Sequence, residues 1–105
     1  MHLRPGAWSS QRHWHSREDE FVWVVEGEVV LVTDAGEEVL RAGDCAGFPA
    51  GDGDGHHIQN RSDRDALLLE VGTRAPPGEF VDYPDIDLMI PEGSEGYHRK
   101  DGTPY

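Results

Sequence analysis

Residues 13–27 read HWHSREDEFVWVVEG, and this stretch decides the fold more clearly than any other part of the chain. Its second half is an apolar run, Phe21 to Val25, that follows a polar and charged segment. A strand that is apolar on both faces is typical of a barrel or a sandwich, where neither face meets water. The stretch ends at Gly27, where glycine permits a bend or a bulge. It therefore predicts a buried β-strand inside an all-β domain.

Similar short runs lie on both sides of this strand, and Gly and Pro residues separate them. The chain has 105 residues with 13 Gly and 7 Pro, which is enough for one domain. We predict strands near residues 11–16, 20–26, 28–33, 37–41, 45–49, 56–60 and 66–72, and a tight turn at residues 34–36. Cys45 is expected in the core as a small residue. The alternation of Ile86, Leu88 and Ile90 predicts one further strand, and no helix is predicted.

The character of the sequence changes after Arg74. Residues 75–78 read APPG, and the following tail is acidic and carries further prolines. We therefore predict a barrel over residues 1–74 and a C-terminal extension over residues 75–105 that packs on it, within a single domain.

The charge balance restricts the classes of partner. The chain has 21 Asp plus Glu against 9 Lys plus Arg, a formal net charge of −12. Nucleic acid and anionic membrane surfaces attract basic patches, so neither is an expected partner. One cysteine permits no intramolecular disulfide, and no signal peptide or membrane span is apparent, so we expect a cytoplasmic protein.

Two histidines and a glutamate in the same stretch suggest chemistry. His13 and His15 are two residues apart, so on a strand both imidazoles project from one face. Imidazole is the commonest protein ligand for transition metals, although a single His-x-His pair is often incidental. Glu20 begins the apolar strand, where a carboxylate is costly unless it is paired, bound to a metal or solvated at a rim.

A second cluster completes a recognisable pattern. The first segment, from His13 to Gly27, fits the pattern HxH(x)4E(x)6G. A further glycine usually precedes this pattern, and here Gly6 lies one residue too far upstream. The second runs from Gly43 through Pro49 and Gly51 to His56 and Asn60, with two extra residues between Gly51 and His56. Together these segments resemble the two motifs of the cupin family over residues 6–60, and the strand rhythm extends the match to about residue 72.

The resemblance implies a fold and a ligand set. The fold is a double-stranded β-helix, or jelly-roll barrel. In the family, the matching positions coordinate a metal, which here gives His13, His15, Glu20 and His56. The longer loop leaves His57 as an alternative to His56. Such a set suits one divalent transition metal, Fe(II), Mn(II), Ni(II) or Zn(II).

The resemblance leaves the activity open. The leading hypothesis is a metalloenzyme for a small molecule, with dioxygenase-like oxidation by O₂ on Fe(II) as the first reaction class and isomerase or lyase chemistry behind it. A non-catalytic sensor of a small molecule or metal is the alternative. Trp8, Trp23, Phe48 and Asn60 are candidate pocket residues, and a homodimer is expected on small size and family resemblance. The tail over residues 83–88 and 101–105 resembles a bacterial group of small cupins without an assigned activity. Its members are longer at the N-terminus, so strands before the first motif are either missing or supplied by a partner subunit.

Overall fold

Most strands lie close to their predicted positions in the sequence. A computed structural model describes residues 1–74, 77–94 and 96–105, and within these residues it contains ten β-strands and no helix. The strands are β1 (His2–Leu3), β2 (Trp14–His15), β3 (Glu20–Glu26), β4 (Glu28–Thr33), β5 (Gly36–Arg41), β6 (Cys45–Phe48), β7 (His57–Gln59), β8 (Ala66–Gly72), β9 (Val81–Tyr83) and β10 (Leu88–Ile90). The predicted all-β class is confirmed.

Two antiparallel sheets share one core. The first has the strand order β1-β8-β3-β6 and the second has the order β5-β4-β7. Successive side chains of a strand point to opposite faces, so alternate residues of each sheet meet between the sheets. Removal of these aliphatic side chains from water contributes roughly 1.5–3 kcal/mol each. The core consists of Leu3, Val22, Val24, Val29, Leu31, Leu40, Ile58, Ala66 and Leu68. This architecture is the predicted jelly-roll barrel.

Gly27 forms the tight corner between β3 and β4. Its φ of +90° lies in the region that favours glycine. A Cβ at this position would lie 2.9 Å from the backbone oxygen of Asp65 and 3.0 Å from the Cα of Ala66. The register between β3 and β8 also shifts beside this corner, between Val24 and Glu26. The bend predicted at Gly27 is therefore present, and the close approach of the chain requires it.

The outer face of the first sheet departs from the prediction. The run from Phe21 to Val25 was expected to be buried on both sides, but only its inward residues are. Since the second sheet covers one face only, the other face stays open in the single chain. Its apolar side chains are between 41% and 54% exposed: Phe21, Trp23, Val25, Leu67, Leu69 and Val71. Cys45 also lies on this face and is exposed, so its prediction as a core residue is wrong; alternation along β6 turns Ala46 and Phe48 inward instead.

The strand predicted over residues 11–16 is reduced to Trp14–His15. Residues 9–12 form a bend. His13 Nδ1 contacts the backbone oxygen of Gln11 at 2.9 Å, and the hydroxyl of Ser10 donates to the same oxygen at 3.0 Å. Such local bonds from side chain to backbone compete with strand pairing.

The C-terminal part adds a small third sheet, with the order β10-β9-β2. Strand β9 pairs with β2 through His15 and Val81, and it pairs with β10 through Tyr83 and Leu88. The predicted strand over residues 86–90 is confined to Leu88–Ile90, because Ile86 lies in the turn that joins β9 to β10. The boundary between barrel and extension is predicted directly after Arg74. The next two residues, Ala75 and Pro76, lie outside the described residues.

No helix in the described part of the chain is long and apolar enough to cross a membrane.

Candidate metal centre

The segment that carries His13 and His15 is fixed from both sides. The backbone N–H of His13 donates to the carbonyl of His56 at 3.2 Å, and the N–H of His56 donates back to His13 at 2.9 Å. On the other side, β9 pairs with Trp14 and His15. The predicted two-residue spacing therefore places both imidazoles on the same side of the segment, and His56, directly before β7, forms an isolated antiparallel bridge with His13.

The three imidazoles converge on one carboxylate oxygen, Oε1 of Glu20. The distance from this oxygen is 2.9 Å to Nε2 of His15, 3.4 Å to Nε2 of His56 and 3.8 Å to Nε2 of His13. Glu20 is the first residue of β3 and is paired with Phe48 on one side and Gly72 on the other. Sheet pairing on both sides therefore fixes the backbone from which the carboxylate projects.

The hydrogen bonding of the cluster is incomplete. Oε1 of Glu20 is buried and, although Nε2 of His15 lies 2.9 Å away, no donor among the described residues meets this oxygen with hydrogen-bonding geometry. Nδ1 of His15 and Nδ1 of His56 are also buried without a hydrogen-bond partner. A buried polar atom without a partner costs about 1–3 kcal/mol, and more when it is charged. A cation between the three Nε2 atoms and Oε1 would use their lone pairs together. The residues present therefore fit a metal ion, and His13, His15 and Glu20 offer ligand atoms within 4.8 Å of one another.

The surroundings set the protonation of the cluster. Burial raises the pKa of Glu20, but the adjacent imidazoles of His15 and His56 outweigh burial and hold that pKa far below its ordinary value. Burial lowers the pKa of His13. Burial also lowers the pKa of His15, but the carboxylates of Glu20, Glu79 and Glu18 together outweigh it and leave this pKa raised. Near neutral pH the cluster thus offers an ionised carboxylate and a neutral His13, as a metal site requires.

His56 and His57 face different surroundings. The ring of His56 stacks on Phe48, with the centroids 3.7 Å apart, and points Nε2 at Glu20. The ring of His57 packs against the edge of Trp8 at 4.8 Å. Its Nδ1 contacts the backbone oxygen of Ser10 at 3.0 Å, and its Nε2 lies 3.0 Å from Nε2 of Gln59. The structure thus brings His56 into the cluster and gives both ring nitrogens of His57 other partners.

A cavity of about 180 Å³ opens beside the cluster. It is lined by Met1, Ser9, Ser10, His13, Glu20, Val22, His56, Ile58 and Glu70. Among the candidate pocket residues, Phe48 lies at the cluster and lines a second, more open depression next to Glu20. Trp8 packs on His57, and Trp23 lies on the outer sheet face.

Asn60, the fourth candidate pocket residue, has a structural position. It is 1% exposed, and its Nδ2 donates to the carbonyls of Leu3 and Arg64, both at 2.8 Å. Its Oδ1 accepts from the backbone N–H and the hydroxyl of Ser62. These bonds hold the turn after β7 and leave Asn60 outside the lining of the cavity.

Two carboxylates near the cluster were missed from the sequence. Glu70 lies on β8 opposite Val22, where alternation with Leu68 turns its side chain to the inner face and into the cavity. Glu79 precedes β9, and its Oε1 lies 3.5 Å from Nδ1 of His15. The alternation of residues 66, 68 and 70 could have indicated Glu70, whereas no local pattern indicates Glu79.

Comparison with known proteins identifies several similar structures. The sequence profile of the cupin domain family matches residues 1–72. A sugar phosphate isomerase of the cupin superfamily from Silicibacter pomeroyi is 50% identical, with a TM-score of 0.90 over 99% of this chain and 67% of its own. A protein from Acidithiobacillus ferrooxidans, provisionally described as a sugar phosphate isomerase, is 27% identical, with a TM-score of 0.82 over 92% of this chain and 61% of its own.

A more distant structure, a predicted oxalate decarboxylase from Thermotoga maritima, is 29% identical, with a TM-score of 0.62 over 69% of this chain and 60% of its own. The chain therefore spans about 60–67% of the length of these three structures. No curated protein matches the sequence.

Proposed function

Because the chain belongs to the cupin domain family, we propose that it is a metal-dependent enzyme that isomerises a small hydroxy-carbonyl compound. In this proposal His13, His15, Glu20 and His56 hold one divalent transition metal. Three imidazole nitrogens and one carboxylate oxygen suit Fe(II), Mn(II), Ni(II) or Zn(II). The convergence of three Nε2 atoms within 3.8 Å of one buried carboxylate oxygen carries the proposal.

Isomerisation is favoured over oxidation by two observations. Two of the similar structures are described as sugar phosphate isomerases, one of them at 50% identity. The cavity also contains a carboxylate that is not one of the proposed ligands, Glu70. Glu70 is exposed over part of its surface, but partial burial of its carboxyl group raises its pKa, and the charge of Glu20 raises it further, which suits a group that takes and returns a proton.

The residues of the cavity fit the reaction as follows. A bound divalent cation would act as a Lewis acid on a carbonyl oxygen. Glu70 takes the proton from the carbon next to the carbonyl and returns it to the carbonyl carbon, while the hydroxyl proton moves between the two oxygens. The apolar side chains of Val22 and Ile58 restrict water in part of the cavity. The hydroxyl groups of Ser9 and Ser10 also line it, where Ser9 accepts from the N–H of Ile58 and Ser10 donates to the backbone oxygen of Gln11.

The lining of the cavity also restricts the substrate. It includes the carboxylates of Glu20 and Glu70 and no Lys or Arg side chain among the described residues. The proposed divalent cation would offset the charge of Glu20, but the charge of Glu70 would still repel a phosphate group placed beside it at the reacting carbon. We propose that the reacting end of the substrate is uncharged and that any phosphate group lies outside the cavity.

The test uses the protein loaded with each candidate metal and matched aldoses with and without a phosphate group. In deuterated water, exchange of the carbon-bound proton, measured by NMR, is expected together with conversion to the ketose. Glu70→Gln should abolish the exchange, whereas Glu38→Gln, which removes the same charge from an exposed site on β5, should not.

The other outcomes separate the alternatives. Oxygen uptake with turnover would replace the proposal by a dioxygenase. Tight binding of the sugars without exchange or product would replace it by a sensor. Protein that retains no metal after metal-replete preparation would overturn the proposed centre itself.

A further inference from the structure

Glu79 lies behind the proposed metal centre, on the side of His15 that faces away from Glu20. Its side chain is only 7% exposed, and its Oε1 lies 3.5 Å from Nδ1 of His15. The residue belongs to the C-terminal extension, outside both motifs that supply the proposed ligands. The extension therefore contributes a buried charge directly beside one of these ligands.

The carboxylate of Glu79 is held in place by the backbone. The N–H groups of Arg17 and Glu18 donate to Oε1 at 3.2 and 2.6 Å. Next to it, the N–H of Ser16 donates to the carbonyl of Phe80 at 3.0 Å, and the N–H of Phe80 donates to the hydroxyl of Ser16 at 2.8 Å. These bonds fix the carboxylate before any metal binds.

One ring nitrogen of His15 lies near this carboxylate and has no other hydrogen-bond partner among the described residues. Nδ1 of His15 is buried without a hydrogen-bond partner, and the carboxylates of Glu79 at 3.5 Å and Glu18 at 3.7 Å are its nearest charged neighbours. A neutral imidazole carries its proton on one nitrogen only. A carboxylate beside Nδ1 favours the proton at that nitrogen and leaves the lone pair on Nε2, which points at the centre.

We propose that Glu79 is a positioning residue that holds the proton of His15 on Nδ1 and directs the Nε2 lone pair to the metal. This inference rests on the proposed metal centre. His15, Glu18 and Glu79 also lie close enough to hold a second cation. Oε1 of Glu79 already accepts two backbone N–H groups, however, and this favours positioning over ligation.

The principal test compares metal affinity in three proteins by competition with a chelating dye. Glu79→Gln keeps an oxygen for the two backbone N–H groups and removes the charge. Loss of an outer-sphere partner of this kind typically weakens metal binding about 10–100-fold. Glu38→Gln, which changes the net charge equally at an exposed position, should bind as the wild-type protein does.

A second pair of measurements separates positioning from a general structural role. The metal-free Glu79→Gln protein should melt close to the metal-free wild type, because the backbone contacts are kept. In the zinc-loaded wild-type protein, long-range nitrogen–proton NMR should show His15 protonated on Nδ1. A metal bound to Nδ1 instead would overturn the inference even if the variant did not fold.

The remaining outcomes are distinct from one another. If Glu79→Gln binds metal as tightly as the wild type, the inference fails and the proposed centre stands. Two metal ions per chain would assign Glu79 to a second site and overturn positioning. A wild-type protein without metal affinity would overturn the proposed function, and the inference with it.

Discussion

The adjacent residues His56 and His57 allow the proposed ligand set to be tested with matched substitutions. They are 7% and 6% exposed, so replacement by alanine removes a similar buried ring at each position. Only His56 faces Glu20, with Nε2 at 3.4 Å. We expect His56→Ala to lose metal-dependent stabilisation and His57→Ala to keep it.

The size of the effect follows from mass action. A metal present at 100 times its dissociation constant stabilises the folded state by about 2.7 kcal/mol. For a domain of this size, each kcal/mol raises the melting temperature by about 4–8 °C, so metal should raise it by about 10–20 °C. If His56→Ala weakens binding 100-fold, the same metal concentration leaves about 0.4 kcal/mol, or about 2–3 °C.

The assay is thermal unfolding of each protein with a chelator and with a fixed metal concentration. Both substitutions lower the metal-free melting temperature: His57→Ala removes the contact with Trp8, and His56→Ala removes the stacking on Phe48. The quantity compared is therefore the rise on adding metal within each protein. Equal rises in both variants, or a rise lost only in His57→Ala, would refute the assignment of His56.

Three further predictions concern pH, the corner at Gly27 and the open sheet face. Burial lowers the pKa of His15, but the surrounding carboxylates outweigh it and leave that pKa raised, so protons should begin to displace metal from His15 above about pH 6.5. Burial lowers the pKa of His13, so competition at that ligand should follow below about pH 6.5, and an affinity that is flat between about pH 8 and pH 5 would contradict this. Gly27→Ala should lower the free energy of unfolding in urea by about 2–5 kcal/mol, because it adds a backbone clash at 2.9 Å to the strain of φ +90°. Gly43→Ala, with φ +94° but open space around the added Cβ, should lower it by only about 1–2 kcal/mol. Equal losses in the two variants would contradict the argument from close approach. We propose that the exposed apolar face of the first sheet packs against the same face of a second copy of the chain. The double variant Trp23→Ser with Leu69→Ser should then sediment as a monomer where the wild type sediments as a dimer. A monomeric wild-type protein would refute this proposal.

Much of the barrel could be predicted because local pattern and tertiary packing agree. The strands from residue 20 to residue 48 and from residue 66 to residue 72 match their predicted bounds within about one residue. For these strands the signal is the period of two that every strand imposes on its side chains. The assignment of His56 came instead from the resemblance to the cupin motifs, in which three residues separate the histidine from Asn60.

The remainder depends on contacts between distant residues. Strand β9 has three residues, too few for periodicity, and it forms because β2 offers a free edge. Glu79 reaches His15 only through that pairing, across 64 residues of sequence. Asn60 and Trp23 were candidate pocket residues, yet Asn60 lies in a buried turn and Trp23 lies on an uncovered sheet face. No local sequence pattern distinguishes either position from the wall of a cavity.

The shortness of β2 has a kinetic consequence. Two of the proposed ligands lie on or beside a strand of two residues, held by β9 on one side and by a single bridge to His56 on the other. Short edges of this kind open locally far more often than a whole domain unfolds. The dissociation rate of a bound cation should then follow the opening of this segment. Hydrogen exchange at the amide of Ser16, which bonds to Phe80, would report on that motion. The extension would thereby control how long a cation bound at the proposed centre stays there.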